Sequence, residues 1–205
     1  MPNSSGVLGT ILAAGWSRRM GRSKALLRCP DGQPFVERIT RSLHGGGVHQ
    51  VAVVGRSDDE ALQIAVAALR PVTQFVDNPH AQQGQLSSIQ AAIARAEARR
   101  SDGLLVIPVD LPLVRAATVA AALEAFRTDR AAIVRVTHRG QHGHPVIFPA
   151  RVFDDLRAAS PSIGAKAVLR AHAATVLDVE VDDPGVLRDI DSPEDYRAVF
   201  GCDPP

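Results

Sequence analysis

The chain has 205 residues, 45% apolar and 22% charged, so it can bury the core of a single domain spanning residues 1–205 and is unlike a disordered protein. Its formal net charge of +1 argues against a nucleic-acid interface, and its two cysteines, Cys29 and Cys202, are too few for a disulfide framework or a metal cluster. Residues 1–5 lack a basic leader, and Gly9 and Thr10 interrupt the first apolar run, so we expect no signal peptide, no membrane span and a cytoplasmic protein.

Short β-branched segments alternate with longer alanine-rich segments, which is typical of a parallel sheet covered by helices on both faces. In chain order, we predict strand 6–12, helix 34–43, strand 48–54, helix 58–69, strand 72–76, helix 85–99, strand 103–108, helix 116–127, strand 131–137, helices 151–158 and 164–171, strand 175–181 and helix 193–200. The sequence therefore predicts a three-layer α/β/α fold with a mostly parallel sheet. Residues 137–149 are rich in Gly, His and Pro and are expected to form an irregular hairpin or an insertion over one end of the sheet.

The loop after the first strand, residues 12–24, is the first candidate site. Small residues at Ala13, Ala14 and Gly15 would let a ligand approach the backbone, while Arg19 and Lys24 would offset the charge of a polyphosphate. The loop has neither the glycine spacing of a dinucleotide fold nor that of a P-loop. An ordinary turn with solvated cations is the alternative interpretation.

Two acidic segments are candidates for a metal site. Asp110 follows a buried strand and stands between two prolines, so its carboxylate would be held at the strand end, where it could bind Mg²⁺ together with nucleotide phosphates. Capping of the next helix is the alternative. Asp189 and Asp191 lie on one side of an extended segment, and either could complete the site. Ser192, followed by proline, predicts the N-cap of the last helix.

Two further segments carry polar side chains to the carboxyl ends of strands. His142 and His144 stand two residues apart, but no third zinc ligand is evident in the sequence, so a ligand-facing loop is the favoured interpretation. Asp77 follows the third strand and Ser88 opens the next helix. These two side chains could contact a base or a ribose, or Ser88 could merely cap the helix.

Four segments, in order along nearly the whole chain, resemble the MobA-like nucleotidyltransferases and, among them, the molybdenum cofactor cytidylyltransferases. They are Leu12-Ala13-Ala14-Gly15-x-Ser17-x-Arg19-Met20-Gly21-x-x-Lys24, Pro108-x-Asp110-x-Pro112-Leu113, Gly143-His144-Pro145 and Asp189-Ile190-Asp191-Ser192-Pro193-Glu194-Asp195. The resemblance implies the Rossmann-like fold of the nucleotide-diphospho-sugar transferases. It also implies transfer of CMP from CTP to the phosphate of molybdopterin-bound molybdenum cofactor, with release of pyrophosphate.

The resemblance further implies roles for single residues. Those implied to bind the nucleotide are Leu12, Ala13, Ala14, Gly15, Lys24, Asp77 and Ser88. Those implied to act in catalysis are Arg19, Lys24 and Asp110, and those implied to hold Mg²⁺ are Asp110 and Asp191. The acceptor is implied to contact Gly143, His144 and Pro145.

Specificity depends on positions that differ between branches of this family. The guanylyl-transferring branch has a second glycine where this chain has Ala14, and the methyl group here favours CTP. Ser162 and Lys166 depart from the aspartate and arginine of the cytidylyl branch, which leaves open another base or another phosphorylated acceptor. A cofactor chaperone serving a client molybdoenzyme and an oxidoreductase are further alternatives, although no dinucleotide fingerprint supports the latter.

Overall fold

The computed structural model describes residues 6–17, 20–21 and 23–205. Within these ranges a seven-stranded sheet has the order β3-β2-β1-β4-β6-β5-β7. The strands are β1 (Val7–Leu12), β2 (Val51–Gly55), β3 (Thr73–Asp77), β4 (Gly103–Pro108), β5 (Ile133–His138), β6 (Gln141–Pro149) and β7 (Val176–Glu180). The helices are α1 (Phe35–Gly45), α2 (Glu60–Ala68), α3 (Gln85–Ala98), α4 (Ala116–Thr128), α5 (Phe153–Ala158), α6 (Lys166–Ala171) and α7 (Pro193–Phe200). None of the helices in the described ranges is long and apolar enough to cross a membrane.

The core forms two apolar layers, one on each face of the sheet, because successive strand residues point to opposite faces. Ile11 of β1 belongs to the layer that includes Leu43 of α1 and Val119 of α4. Leu12, the next residue, belongs to the layer that includes Ile93 of α3 and Leu156 of α5. Helices therefore cover both faces of the sheet, and the predicted α/β fold with a mostly parallel sheet is confirmed.

Helix boundaries follow the punctuation in the sequence. Helix α1 begins directly after Pro34 and ends at Gly45, before Gly47 with its φ of 101°. Helix α7 begins after Ser192, whose hydroxyl accepts a hydrogen bond from the Asp195 backbone N–H at 3.2 Å. The predicted N-cap is thus confirmed, as part of a reciprocal capping box.

The expectation of an irregular segment over residues 137–149 is wrong for most of its length. Residues Gln141–Pro149 form the regular strand β6, which pairs antiparallel with both β4 and β5 inside the sheet. Its second half is an apolar run that is buried on both faces of the sheet, with Val146 and Phe148 on one side and Ile147 on the other. This burial outweighs the weak strand preference of the Gly, His and Pro residues at its start. Because β6 runs against the other six strands, it begins at the edge where they end.

Candidate functional site

The candidate site lies at the edge where the parallel strands end and β6 begins. In open α/β sheets, ligands bind beyond this edge. The backbone N–H of Val109 donates to the carbonyl of Leu12, the last residue of β1, at 3.1 Å, which continues the pairing of β1 with β4 one residue past the end of β4. Asp110 is therefore carried to a position beside the loop that follows β1.

Lys24 lies between the two carboxylates that the sequence selects as metal ligands. Its Nζ donates to Asp110 Oδ2 at 3.2 Å and forms a closer ion pair with Asp191 Oδ1. Its backbone N–H donates to the Ser17 hydroxyl at 3.2 Å, which ties the end of the loop to its middle. The side chains of Lys24, Asp110 and Asp191 are 13%, 23% and 29% exposed, so water only partly screens the cluster.

The segment that carries Asp191 is fixed by two backbone contacts. The N–H of the buried Ile190 donates to the Asp110 carbonyl at 2.9 Å, and the N–H of Asp191 donates to the Asp195 carboxylate at 3.1 Å. These bonds bring Asp191, rather than the exposed Asp189, to Lys24. The capping box of α7 thus also positions a residue of the site.

The alternative role of Asp110 as a helix cap is wrong. Helix α4 begins only at Ala116, and its N-terminal N–H at Arg115 donates to the Asp183 carboxylate at 2.9 Å. Asp183 is buried and also accepts from the Thr118 hydroxyl at 2.6 Å. Because Asp183 caps the helix, the Asp110 side chain remains at the cleft.

The electrostatics of the cluster suit a divalent cation. Burial raises the pKa of Asp110, the Lys24 ammonium opposes that rise, and the nearby Asp191 carboxylate adds to it. Asp110 and Asp191 thus place two carboxylates around the Lys24 ammonium. Mg²⁺ is usually held by one or two carboxylates together with substrate phosphates and water. The described residues contain no group of three or more His, Cys, Asp or Glu side chains that could hold a metal, so phosphates and water would complete its coordination.

Two clefts meet at Asp110. The first has a volume of about 190 Å³, and its lining includes Leu12, Ala13, Gly15, Ser17, Lys24 and Asp191. The second has a volume of about 300 Å³, and its lining includes Gln85, His142, Gly143, His144 and Asp189. Asp110 lines both, so a group bound in one cleft would lie beside a group bound in the other.

Gly143 and His144 form one wall of the second cleft. A Cβ on Gly143 would lie 2.5 Å from the Val186 carbonyl oxygen, so only glycine allows this close approach. Burial lowers the pKa of His144, which keeps its ring neutral at pH 7, and its buried Nδ1 has no hydrogen-bond partner among the described residues. Pro145 follows, buried in the sheet. His142 is exposed and joins no metal cluster within the described chain.

Three other residues selected from the sequence, Asp77, Ser88 and Ala14, are not part of the lining of these clefts. Asp77 is exposed at the end of the edge strand β3. Ser88 is buried in α3, where its hydroxyl accepts a hydrogen bond from Asn78 Nδ2 at 3.0 Å. Ala14 is buried and is not part of the first cleft's lining. Arg19 lies outside the described residues.

Arg56 is a further residue beside this site that the sequence motifs did not indicate. Its Nη1 donates to the carbonyls of Ala14 and Gly15, both at 3.3 Å, and so ties the loop after β1 to the loop after β2. Arg56 directly follows β2 and therefore lies at the carboxyl edge of the sheet, a signal that strand prediction alone could have supplied.

Comparisons with known sequences identify the family of the chain. The MobA-like NTP transferase domain family matches residues 9–176. The probable molybdenum cofactor guanylyltransferase of Opitutus terrae is 35% identical over 133 residues, which are 65% of this chain and 62% of that protein. The purine catabolism protein PucB of Bacillus subtilis is 29% identical over 94% of this chain and 95% of its own length. The nicotine blue oxidoreductase of Paenarthrobacter nicotinovorans is 30% identical over 93% of this chain and 95% of its own length. The chain thus spans less than two thirds of the first relative and nearly all of the other two.

Solved structures share the fold. Rv0371c of Mycobacterium tuberculosis superposes with a TM-score of 0.77 at 24% identity, covering 96% of this chain and 99% of that one. The same mycobacterial protein has been solved in complex with manganese. CMP:2-keto-3-deoxy-manno-octonic acid synthetase complexed with CTP superposes with a TM-score of 0.73 at 18% identity, covering 96% and 98%. At these identities the likeness is one of fold.

Proposed function

The chain belongs to the MobA-like NTP transferase family, and from this premise we propose that it transfers CMP from CTP to the phosphate of molybdopterin-bound molybdenum cofactor, releasing pyrophosphate. One observation carries the proposal: Asp110 stands at the junction of two clefts, with Lys24 and Asp191 on one side and Gly143 and His144 on the other. A transfer between two phosphorylated molecules requires this kind of junction, because the reacting oxygen and phosphorus must be held within contact distance.

The first cleft is assigned to the nucleotide. Ala13, Gly15 and Ser17 are small, so phosphates can approach the backbone of the loop. The ammonium of Lys24 lies in the same cleft and would neutralise charge on the phosphates. Asp110 and Asp191 would hold Mg²⁺, which supplies further neutralisation of the triphosphate and of the departing pyrophosphate.

The second cleft is assigned to the acceptor. The buried Nδ1 of His144 lacks a partner among the described residues and can pair with a polar group of a bound pterin. Because the ring is neutral at pH 7, it would recognise a neutral hydrogen-bonding group rather than bind a charge. Gly143 brings the strand backbone against Val186, which shapes the wall of this cleft.

The transfer needs no side chain to remove a proton. An acceptor phosphate has a second pKa of about 6 and is mostly dianionic at neutral pH. One of its oxygens attacks the α-phosphorus of CTP, a new phosphorus–oxygen bond forms, and the bond from the α-phosphorus to the bridging oxygen of the β-phosphate breaks. Pyrophosphate leaves with the electron pair. Lys24 and the geometry of the two clefts supply charge stabilisation and alignment.

The choice of CTP over GTP rests on the resemblance at Ala14, where the guanylyl branch has glycine, although Ala14 is buried and does not itself line the first cleft. The guanylyltransferase name of the Opitutus terrae relative favours GTP instead, so the base is tested directly. Purified protein is incubated with MgCl₂, molybdenum cofactor and each of CTP, GTP, ATP and UTP, and pyrophosphate and dinucleotide products are measured. We expect the cytosine dinucleotide, and we expect Ala14→Gly to raise the use of GTP relative to CTP. If the wild-type protein forms the guanine dinucleotide, the donor is GTP and not CTP.

The same experiment tests the reaction class. Pyrophosphate release that depends on both the cofactor and MgCl₂ supports nucleotidyl transfer, and Asp110→Asn should remove it. Cofactor binding without pyrophosphate from any triphosphate would contradict the proposal and favour a chaperone for a client molybdoenzyme.

A second candidate is an oxidoreductase, which the identity to the nicotine blue oxidoreductase favours. Oxidation of NADH or NADPH by the protein, with no pyrophosphate from any triphosphate, would support that candidate instead.

A further inference from the structure

We propose that Arg56 is a positioning residue, which turns two successive backbone N–H groups of the loop after β1 towards the phosphates of the nucleotide. This proposal rests on the proposed function, because it states how the same cleft would hold the triphosphate. Arg56 itself contacts the loop and not the ligand.

Arg56 is held in place from several sides. Its Nη1 donates to the carbonyls of Ala14 and Gly15, both at 3.3 Å, and its Nε donates to Asp58 Oδ1 at 2.9 Å. Its guanidinium lies over the Trp16 ring, 3.9 Å from the ring centroid. The Arg56 side chain is only 18% exposed, although its partners Asp58 and Trp16 are themselves exposed to water.

The orientation of the N–H groups follows from the planar trans peptide. The carbonyl and the N–H of one peptide unit point in opposite directions. The N–H of Gly15 belongs to the peptide whose carbonyl is that of Ala14, and the N–H of Trp16 to the peptide whose carbonyl is that of Gly15. Because Arg56 draws both carbonyls to itself, both N–H groups point away from it.

The side opposite Arg56 is the nucleotide cleft. Gly15 and Ser17 line both that cleft and a third one of about 390 Å³, whose lining also includes Arg56 and Trp16. The loop is therefore the wall between them, with Arg56 on one side and Lys24 on the other. Successive N–H groups that point the same way form a concave site for anions. A Cβ at Gly15 would meet nothing within 4 Å, so a phosphate can reach the backbone there.

The test measures affinity for phosphate separately from affinity for a base. Binding of inorganic tripolyphosphate, CTP and GTP, each with MgCl₂, is measured by calorimetry on the whole chain. Arg56→Ala is compared with Arg135→Ala, because Arg135 is 19% exposed, pairs with Asp178 at 2.7 Å and lies on β5, which β4 and β6 separate from β1. The two variants lose the same charge at the same burial.

We expect Arg56→Ala to lower the affinity for all three ligands by one common factor of about ten, since hydrogen bonds from the loop to the charged phosphates are lost or misaligned. Arg135→Ala should bind like the wild type. Arg56→Lys keeps a cationic donor near the carbonyls and should recover part of the affinity, with Tm close to that of the wild type. Acrylamide quenching of Trp16, the one tryptophan of the chain, should increase in Arg56→Ala.

Two results would overturn this proposal alone: Arg56→Ala binding as tightly as Arg135→Ala, or a loss confined to CTP and GTP with tripolyphosphate unchanged. Should Arg56→Ala fail to fold, Arg56→Lys and Arg56→Gln carry the same three-ligand comparison. A wild-type protein that binds no triphosphate overturns both the proposed function and the role of Arg56.

Discussion

Replacing Asp110 by asparagine separates the chemical role of this carboxylate from its structural one. The substitution keeps the shape of the side chain and removes one negative charge from the junction of the two clefts. Removal of one group that stabilises charge in a transition state typically lowers turnover about 10²–10³-fold, or ~2.7–4 kcal/mol. We expect a loss of that size for Asp110→Asn.

The stability of Asp110→Asn should change little. Burial raises the pKa of Asp110, so the folded protein disfavours the ionised carboxylate and the neutral amide avoids that cost. Against this, the variant loses the acceptor charge that strengthens the hydrogen bond from Lys24 at 3.2 Å, while Lys24 keeps its ion pair with Asp191. A bond of this kind contributes about 1 kcal/mol, which corresponds to ~2–4 °C in the Tm of a protein of this size. The two effects oppose each other, so Tm should stay within that interval.

The effect of Asp110→Asn on stability should change with pH in one direction. A carboxyl whose pKa is raised on folding binds its proton more tightly in the folded state, so its ionisation costs stability as pH rises above the ordinary aspartate value. The asparagine in the Asp110→Asn variant does not ionise in this pH range. Its stability relative to the wild type should therefore increase as pH rises through that interval and level off above the raised pKa.

The control is Asp183→Asn, because Asp183 is also a buried carboxylate but serves the fold. It accepts hydrogen bonds from the Arg115 N–H, the Thr118 hydroxyl and the Gly185 N–H at 2.9, 2.6 and 3.0 Å. An amide nitrogen facing such donors should cost about 1–3 kcal/mol and lower Tm. Turnover is measured by pyrophosphate release and Tm by calorimetry. Wild-type turnover in Asp110→Asn, or a Tm loss equal to that of Asp183→Asn, would refute the reasoning.

Three further predictions concern charge, packing and thiol reactivity. Lys24→Met should lower turnover and Tm together, because the two carboxylates then lose the Lys24 ammonium that neutralises part of their charge, and MgCl₂ should restore part of the Tm; a Tm unaffected by both changes would contradict this. Gly143→Ala should lower Tm by the equivalent of ~1–3 kcal/mol, since its Cβ would lie 2.5 Å from the Val186 carbonyl; an unchanged melting curve would show that the strand can move aside. Iodoacetamide at pH 8 should modify the exposed Cys202 and spare Cys29, because burial raises the pKa of the Cys29 thiol to about 11; intact-mass analysis checks this, and a second adduct should form only in urea.

Local signals in the sequence predicted most elements, because strands and helices here follow apolar periodicity and clear caps. Strand β6 was not predicted as a regular strand, because its place between β4 and β5 depends on pairing with distant segments and because its first residues favour turns. The resemblance of the motifs implied that Asp110 and Asp191 share a metal site. Nothing in the local sequence indicated that Lys24 lies between them. Lys24 and Asp191 are 167 positions apart, so only the folded chain brings them into contact. Asp183 was missed for the same reason, since the helix that it caps lies far from it in the chain.

The reversed direction of β6 has a consequence for how such a protein can change its substrate. The nucleotide cleft is built from β1 and β4, whose connections wind through several helices. Gly143 and His144, by contrast, lie on a hairpin whose two strands adjoin in the chain, so a short continuous segment carries this wall of the second cleft. Under the proposed function, exchange of that hairpin between relatives would alter acceptor preference while leaving the triphosphate site in place. Recognition of the two substrates is thus separable along the chain, although their reacting groups would meet at one carboxylate.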